Sequence, residues 1–179
     1  MKPIVSRNCR VRYPEHFRVG EYSVVDDYCY FSTMVEVGRF SHIAACCTVA
    51  GGRETKFTLG DYSSVSSGAR IFCKSNDFVN DLAVLLPRGV NIGDKPIAGN
   101  VSIGNMCGVG ANSVIMPGNE IPDGTVVGAL SFVPAEYMFK PWSVYAGSPI
   151  RLLKKRNKSR VLKQAKQLEI LLSPKKVSE

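Results

Sequence analysis

The chain has 179 residues, enough for one domain and an appendage, and 45% of them are hydrophobic, which supplies a continuous core and argues against disorder. No apolar run approaches the ~20 residues that a membrane-spanning helix needs. The net charge of +8 is uneven: residues 151–179 hold ten Lys or Arg and two Glu, whereas the first 150 residues hold 13 of each sign. A neutral body with a basic tail argues against a nucleic-acid-binding body, and the tail lacks the interleaved aromatics of a single-strand binder.

The opening stretch MKPIVSRNCR has no apolar segment of the secretory kind, so the expected location is cytoplasmic. Residues 1–18 read as a lead-in strand and cap. From Val19 onward every sixth residue is aliphatic or aromatic: Val19, Val25, Phe31, Val37, Ile43 and Val49. After an insertion, GGRETK (51–56), the beat continues at Leu59, Val65 and Ile71. It returns at Ile97, Ile103, Val109, Ile115, Ile121, Val127 and Val133. Period six fits neither a helix nor a lone strand. It fits short strands joined by corners, each strand sending one side chain inward, with three sides closing a triangular coil.

Segment 72–96 abandons the rhythm and is too long for an ordinary connection. Phe78, Val79, Leu82, Val84, Leu85 and Leu86 within it call for burial against the solenoid or a second subunit. Gly20, Gly38, Gly60, Gly104, Gly110 and Gly128 each follow an inward residue, and read as corner residues needing unusual backbone angles. Cys29, Cys47 and Cys107 occupy a slot two residues before the inward position, where most coils place Ser, Ala, Thr or Val. They read as small packing thiols, and no CxxC pair suggests a metal. Past Pro134 an aromatic stretch is held extended by Pro141 and Pro149. A helix follows, with Val161, Ala165, Leu168 and Leu172 on one stripe, Ser159 as its cap and Pro174 as its stop. The expected organisation is a solenoid domain over 1–140, with a protruding loop at 73–96, and a linker plus helix over 141–179.

Five stretches carry a family resemblance: VGRFSHIAACCTVAGG (37–52), LGDYSSVSSGARIF (59–72), SND (75–77), VSIGNMCGVGANSVIMPGNEIPDGTVVGALSFV (101–133) and PWSVYAGSPIRLLKKR (141–156). Through them the chain resembles the hexapeptide-repeat acyltransferases, and most of all the acetyltransferases of bacterial surface-polysaccharide (O-antigen or capsule) clusters. The resemblance implies an all-β fold, a left-handed parallel β-helix with a protruding loop and a C-terminal α-helix. Handedness comes from the resemblance alone, since right-handed crossovers are the general rule. It also implies a homotrimer with acetyl-CoA in the groove between subunits, no metal, and a sugar or nucleotide-sugar acceptor bearing an amino or hydroxyl group. Nucleic acid is not an expected partner; an anionic membrane surface is a secondary contact for the basic tail.

The resemblance also suggests where the chemistry sits. Histidine is the usual general base, and the chain has only His16 and His42. His42 precedes inward Ile43, so alternation points it outward onto a wall, and the SHIA segment matches the family there. In bacillosamine-type relatives the catalytic histidine lies nine residues earlier, where this chain has Thr33, so that base is absent. Asp77 is a second catalytic candidate, to orient an imidazole or hold a sugar hydroxyl, or else a turn residue. Asn76, Asp77 and Phe78 are the candidate acceptor-binding residues. Gly110, Ala111, Ala129 and Ser131 match positions lining the pantetheine channel. Gly147 and Pro149 match the turn near the adenine, and Arg151 and Lys154 (with Lys155 and Arg156) are candidates for the phosphates. A carbonic anhydrase of this fold would need three histidine ligands, which the chain lacks. The remaining alternative is a non-catalytic β-solenoid scaffold.

Overall fold

The computed structural model describes residues 1–82, 84, 86–87 and 89–172. Each coil runs along three walls, and the six-residue beat marks the inward side chain of each wall. The first wall is one sheet of seven parallel rungs, from Ile4–Val5 through His42–Ile43 to Ser143–Ala146, closed by antiparallel Arg151–Lys155. Its inward residues stack in register as Val25, Ile43, Val65, Val109, Val127 and Tyr145. The second wall stacks Phe31, Val49, Ile71, Ile115 and Val133. The third stacks Val19, Val37, Leu59, Ile103 and Ile121. Most of these side chains are 0–3% exposed, so the three columns form one continuous core.

The beat reaches further at one end than the sequence suggested. Residues 1–18 form a full coil, with Ile4–Val5 and Arg10–Val11 pairing parallel to the next rung. Ile97, by contrast, is not an inward residue. It lies in strand Ile97–Ala98, which pairs antiparallel with Lys74–Ser75, and is 39% exposed. These two strands form the stem of an arm that leaves the edge between the second and third walls. The coil resumes at Val101–Ile103.

The corner glycines do a different job from the one expected. None of the six has a positive φ; that conformation falls two residues later, on Tyr22, Phe40, Tyr62, Met106, Asn112 and Leu130. The glycines are there because the next coil passes directly over them. A Cβ on Gly60 would sit 2.6 Å from the carbonyl carbon of Gly104, and one on Gly110 would sit 2.2 Å from the nitrogen of Ala129. The small slot beside each corner is buried, and its side chains donate to carbonyls of the coil above. Ser41 Oγ reaches Gly60 O at 2.7 Å, Cys29 Sγ reaches Ala44 O at 3.3 Å, and Cys47 Sγ reaches Ser66 O at 3.2 Å. All six cysteines are free, and burial pushes the Cys73 and Cys107 thiols up to about 11, which keeps them protonated as donors.

The aromatics beyond Pro134 find partners inside the chain. Tyr137, Phe139 and Tyr145 make edge-to-face contacts at 4.9–6.0 Å and close the end of the core. Trp142 covers Gly124, which has no room for a Cβ. The prolines do not hold the stretch extended: Pro141 and Pro149 lie in turns on either side of strand Ser143–Ala146, and the stretch forms the last coil rather than hanging free. The helix is Lys158–Leu172, capped by Asn157 Oδ1 on the Arg160 amide at 3.1 Å; Ser159 only supports Asn157. Val161 and Ala165 are half-buried, while Leu168 and Leu172 are 37% and 43% exposed. Leu85 and Pro174 lie outside the described residues.

Candidate active-site edge and arm

Two edges of the prism carry the candidate residues. Along the edge between the first and second walls, successive coils place Ala44, Ser66, Gly110 and Ala111, Gly128 and Ala129, then Ala146 and Gly147. Small residues keep this edge low. Coil stacks on coil through Leu130 N to Ala111 O at 2.9 Å and Phe132 N to Gly147 O at 3.0 Å. Ser131 is buried, and its hydroxyl is spent within the fold, donating to Gly128 O at 2.7 Å and accepting from Gly147 N at 3.1 Å. It therefore pins the Gly147 turn, which has φ +112° and leads into a cis Ser148–Pro149 bond. Arg151 and Lys154 are exposed on the closing strand beside that turn. Arg156 is committed elsewhere: its guanidinium donates to the carbonyls of Met106 and Gly124 across the far edge.

His42 lies on the same wall as this edge. Its backbone is fixed by rungs on both sides, against Val24 and Ser64, and its side chain faces outward, 45% exposed. Four rung steps separate the His42 strand from Ser143–Ala146, which at ~4.8 Å per step is about 19 Å along the edge. The imidazole Nε2 is 2.9 Å from Asp26 Oδ2, one coil earlier. Asp26 was not among the expected residues. Its signal was the coil repeat: Val24 pairs with His42, so a residue two places on from Val24 stands at the lip beside that imidazole.

Asp77 stands apart from His42, at the root of the arm. Its carboxylate accepts from the Asn80 side chain at 2.7 Å and from the amides of Val79 and Asn80 at 2.9 and 3.2 Å. These bonds, the Asn80 side chain foremost, hold its acidity stronger than usual. In a single chain, then, Asp77 is an Asx-turn residue and the imidazole is oriented by Asp26. Asn76, Asp77 and Phe78 do share a cleft of about 680 Å³, walled also by Gly51, Phe72, Lys74, Ile97 and Met116. Of these, Phe72, Lys74 and Met116 escaped the sequence reading because they meet only through the arm. Phe78, Val79 and Leu82 are 70–89% exposed, so the solenoid does not cover them. Thr33 is buried and its hydroxyl is bonded to Thr55. Among the described residues no His, Cys, Asp and Glu group is arranged to hold a metal.

A three-walled coil of hexads, with an arm at one edge and a low glycine-lined second edge, is the build of the hexapeptide-repeat acyltransferases. No family model matches the sequence. Individual relatives do. Over 168 residues the chain is 24% identical to the dTDP-4-amino-4,6-dideoxy-D-glucose acyltransferase of Escherichia coli, covering 92% of this chain and 82% of that one. It is 29% identical to a chloramphenicol acetyltransferase of Morganella morganii over 154 residues, 79% of this chain and 68% of the other. Among solved structures, AntD, an N-acyltransferase from Bacillus cereus in complex with dTDP and 3-hydroxybutyryl-CoA, superposes with a TM-score of 0.83 at 28% identity, over 96% of this chain and 89% of AntD. A hexapeptide-repeat acetyltransferase from Vibrio cholerae shares the fold at a TM-score of 0.62 and 20% identity, over 80% and 77% of the two chains. The chain is thus a left-handed parallel β-helix, similar in sequence and structure to acyl-CoA-dependent acyltransferases.

Proposed function

We propose that the protein transfers an acetyl group from acetyl-CoA to the amino group of a nucleotide-linked amino sugar. The observation that carries this is the low edge of about 19 Å, estimated from four rung spacings, running from the Gly147–Pro149 turn to an outward histidine. A pantetheine arm lies along Gly110, Ala111 and Ala129, with Arg151 and Lys154 meeting the phosphates. At Gly110 any side chain would strike the Gly128–Ala129 backbone of the next coil and shift that floor. The amine attacks the thioester carbonyl, a C–N bond forms and the C–S bond breaks. His42 takes the proton from nitrogen and returns it to the departing CoA thiolate. Positioning supplies about 7–11 kcal/mol of such a barrier, and a general base a further factor of roughly 10²–10⁴. The amine is preferred over a hydroxyl because the relative from E. coli and the AntD complexes concern a 4-amino sugar.

The working unit of this proposal is a homotrimer. Outward residues of the seven parallel rungs of the first wall are Ile4, Val24, His42, Ser64, Gly108, Val126 and Val144, with no fixed charge; charge enters this sheet at the closing strand Arg151–Lys155. The second wall presents Arg10 and Arg70, and the third presents Arg18, Glu36 and Glu120. The uncharged wall packs against a neighbour, and the neighbour's exposed arm brings Asn76, Asp77 and Phe78 to the His42 edge as acceptor contacts. Six free thiols suit the cytoplasm, where acetyl-CoA and nucleotide sugars meet, and a surface-polysaccharide precursor is the fitting product.

The test is thermal unfolding with and without acetyl-CoA, followed by thiol release with nucleotide-linked amino sugars, simple glycosides and chloramphenicol. Stabilisation by acetyl-CoA and turnover with an amino sugar are expected. A melting temperature indifferent to acetyl-CoA would instead favour a non-catalytic scaffold.

A further inference from the structure

We infer that Asp26 is the positioning residue of the acyl-transfer site, and that it makes Nδ1 of His42 the atom that takes the acceptor's proton. The inference rests on the transferase reading above. The 2.9 Å contact joins Asp26 Oδ2 to Nε2, and no bond to Nδ1 occurs among the described residues. A carboxylate at Nε2 selects the tautomer with hydrogen on that nitrogen and leaves the Nδ1 lone pair open. The backbone that carries the carboxylate is also held in place. The Asp26 amide donates to Ile43 O at 2.9 Å, and its carbonyl accepts from Cys9 Sγ at 3.0 Å, so the turn cannot swing away. A half-exposed contact between imidazole and carboxylate adds little to fold stability, so stability alone does not account for an acid at this place. When Nδ1 is protonated during attack, the neighbouring carboxylate stabilises the imidazolium; the proton then passes to the CoA thiolate.

Two measurements test this, one of which needs no turnover. With only two histidines, nitrogen-labelled protein carrying His16→Gln reports His42 alone. The neutral ring is expected as the Nε2–H tautomer, shifting to a mixture in Asp26→Asn. A wild-type Nδ1–H tautomer overturns the inference whatever the acceptor proves to be. In kinetics, Asp26→Asn should lower kcat by at least about tenfold, within the roughly 10²–10⁴ a general base supplies, with KM for acetyl-CoA little changed. In a His42→Ala background the same change should add nothing, because the two act as one unit. Equal losses in both backgrounds would mean that Asp26 acts without His42. Wild-type kcat in Asp26→Asn would remove Asp26 from the site and leave the transferase reading intact. Acetyl-CoA stabilisation measured in every variant separates these results from failure of the transferase reading.

Discussion

Gly110→Ala and Gly60→Ala make the same kind of clash on two different edges, and together they separate fold from site. At Gly110 a Cβ would stand 2.2 Å from Ala129 N and 2.6 Å from Ala129 Cα. At Gly60 it would stand 2.6 Å from Gly104 C and 2.7 Å from Gly104 O. Backbone blocks both, so a rung must move against neighbours ~4.8 Å away on either side. Overpacking of this sort costs about 1–3 kcal/mol, with Gly110 at the upper end. For a chain of this size each kcal/mol lowers the melting temperature by about 2–4 °C, so both variants should melt roughly 2–12 °C early. Their responses to acetyl-CoA should differ. At a hundred times its Kd the cosubstrate adds about 2.7 kcal/mol. Gly60→Ala should keep that increment, and Gly110→Ala should lose most of it, because the methyl displaces the Gly128–Ala129 backbone on which the proposed pantetheine channel rests. Calorimetry or dye-monitored melting with an acetyl-CoA titration reads both effects. Equal cosubstrate shifts in the two variants would refute the placement of acetyl-CoA on this edge; unchanged melting in both would refute the packing argument for the corner glycines.

His42→Ala should cut kcat by roughly 10²–10⁴ while leaving the melting temperature nearly unchanged, since the side chain is half-exposed; steady-state thiol release and melting check the pair. Phe78→Asp, on a side chain 75% exposed, should turn the proposed trimer into monomers and abolish turnover without unfolding the coil, read by light scattering and circular dichroism. Burial, then the hydrogen bond to Glu169, raises the Tyr62 phenol to about 12. A phenol raised above its ordinary value near 10 stabilises the docked helix below that pH, and the contribution is lost as pH rises through about 12. Helix amides should therefore lose protection between these values, and Tyr62→Phe should flatten that dependence.

The solenoid was legible because its signal is one-dimensional. One inward side chain per wall must be apolar in every coil, so the core is written at a fixed spacing, and His42 could be turned outward by alternation alone. Even the slot thiols were readable, since a buried position beside a corner admits only small side chains. Whatever depends on which coil lies over which was not readable. Ile97 kept the beat yet belongs to the arm, because its partner is Lys74–Ser75 and not a neighbouring coil. The glycines looked like corner residues, whereas stacking distance demands them and the left-handed conformation falls on Tyr, Phe, Met, Asn and Leu two places later. Asp77 looked like a partner for His42, but the carboxylate at 2.9 Å is that of Asp26, sixteen residues earlier in sequence and one rung away in space. Spacing along the chain determined the walls; contacts between coils, which the chain reaches only after winding through three walls, decided the edge, the arm and the carboxylate that faces the histidine.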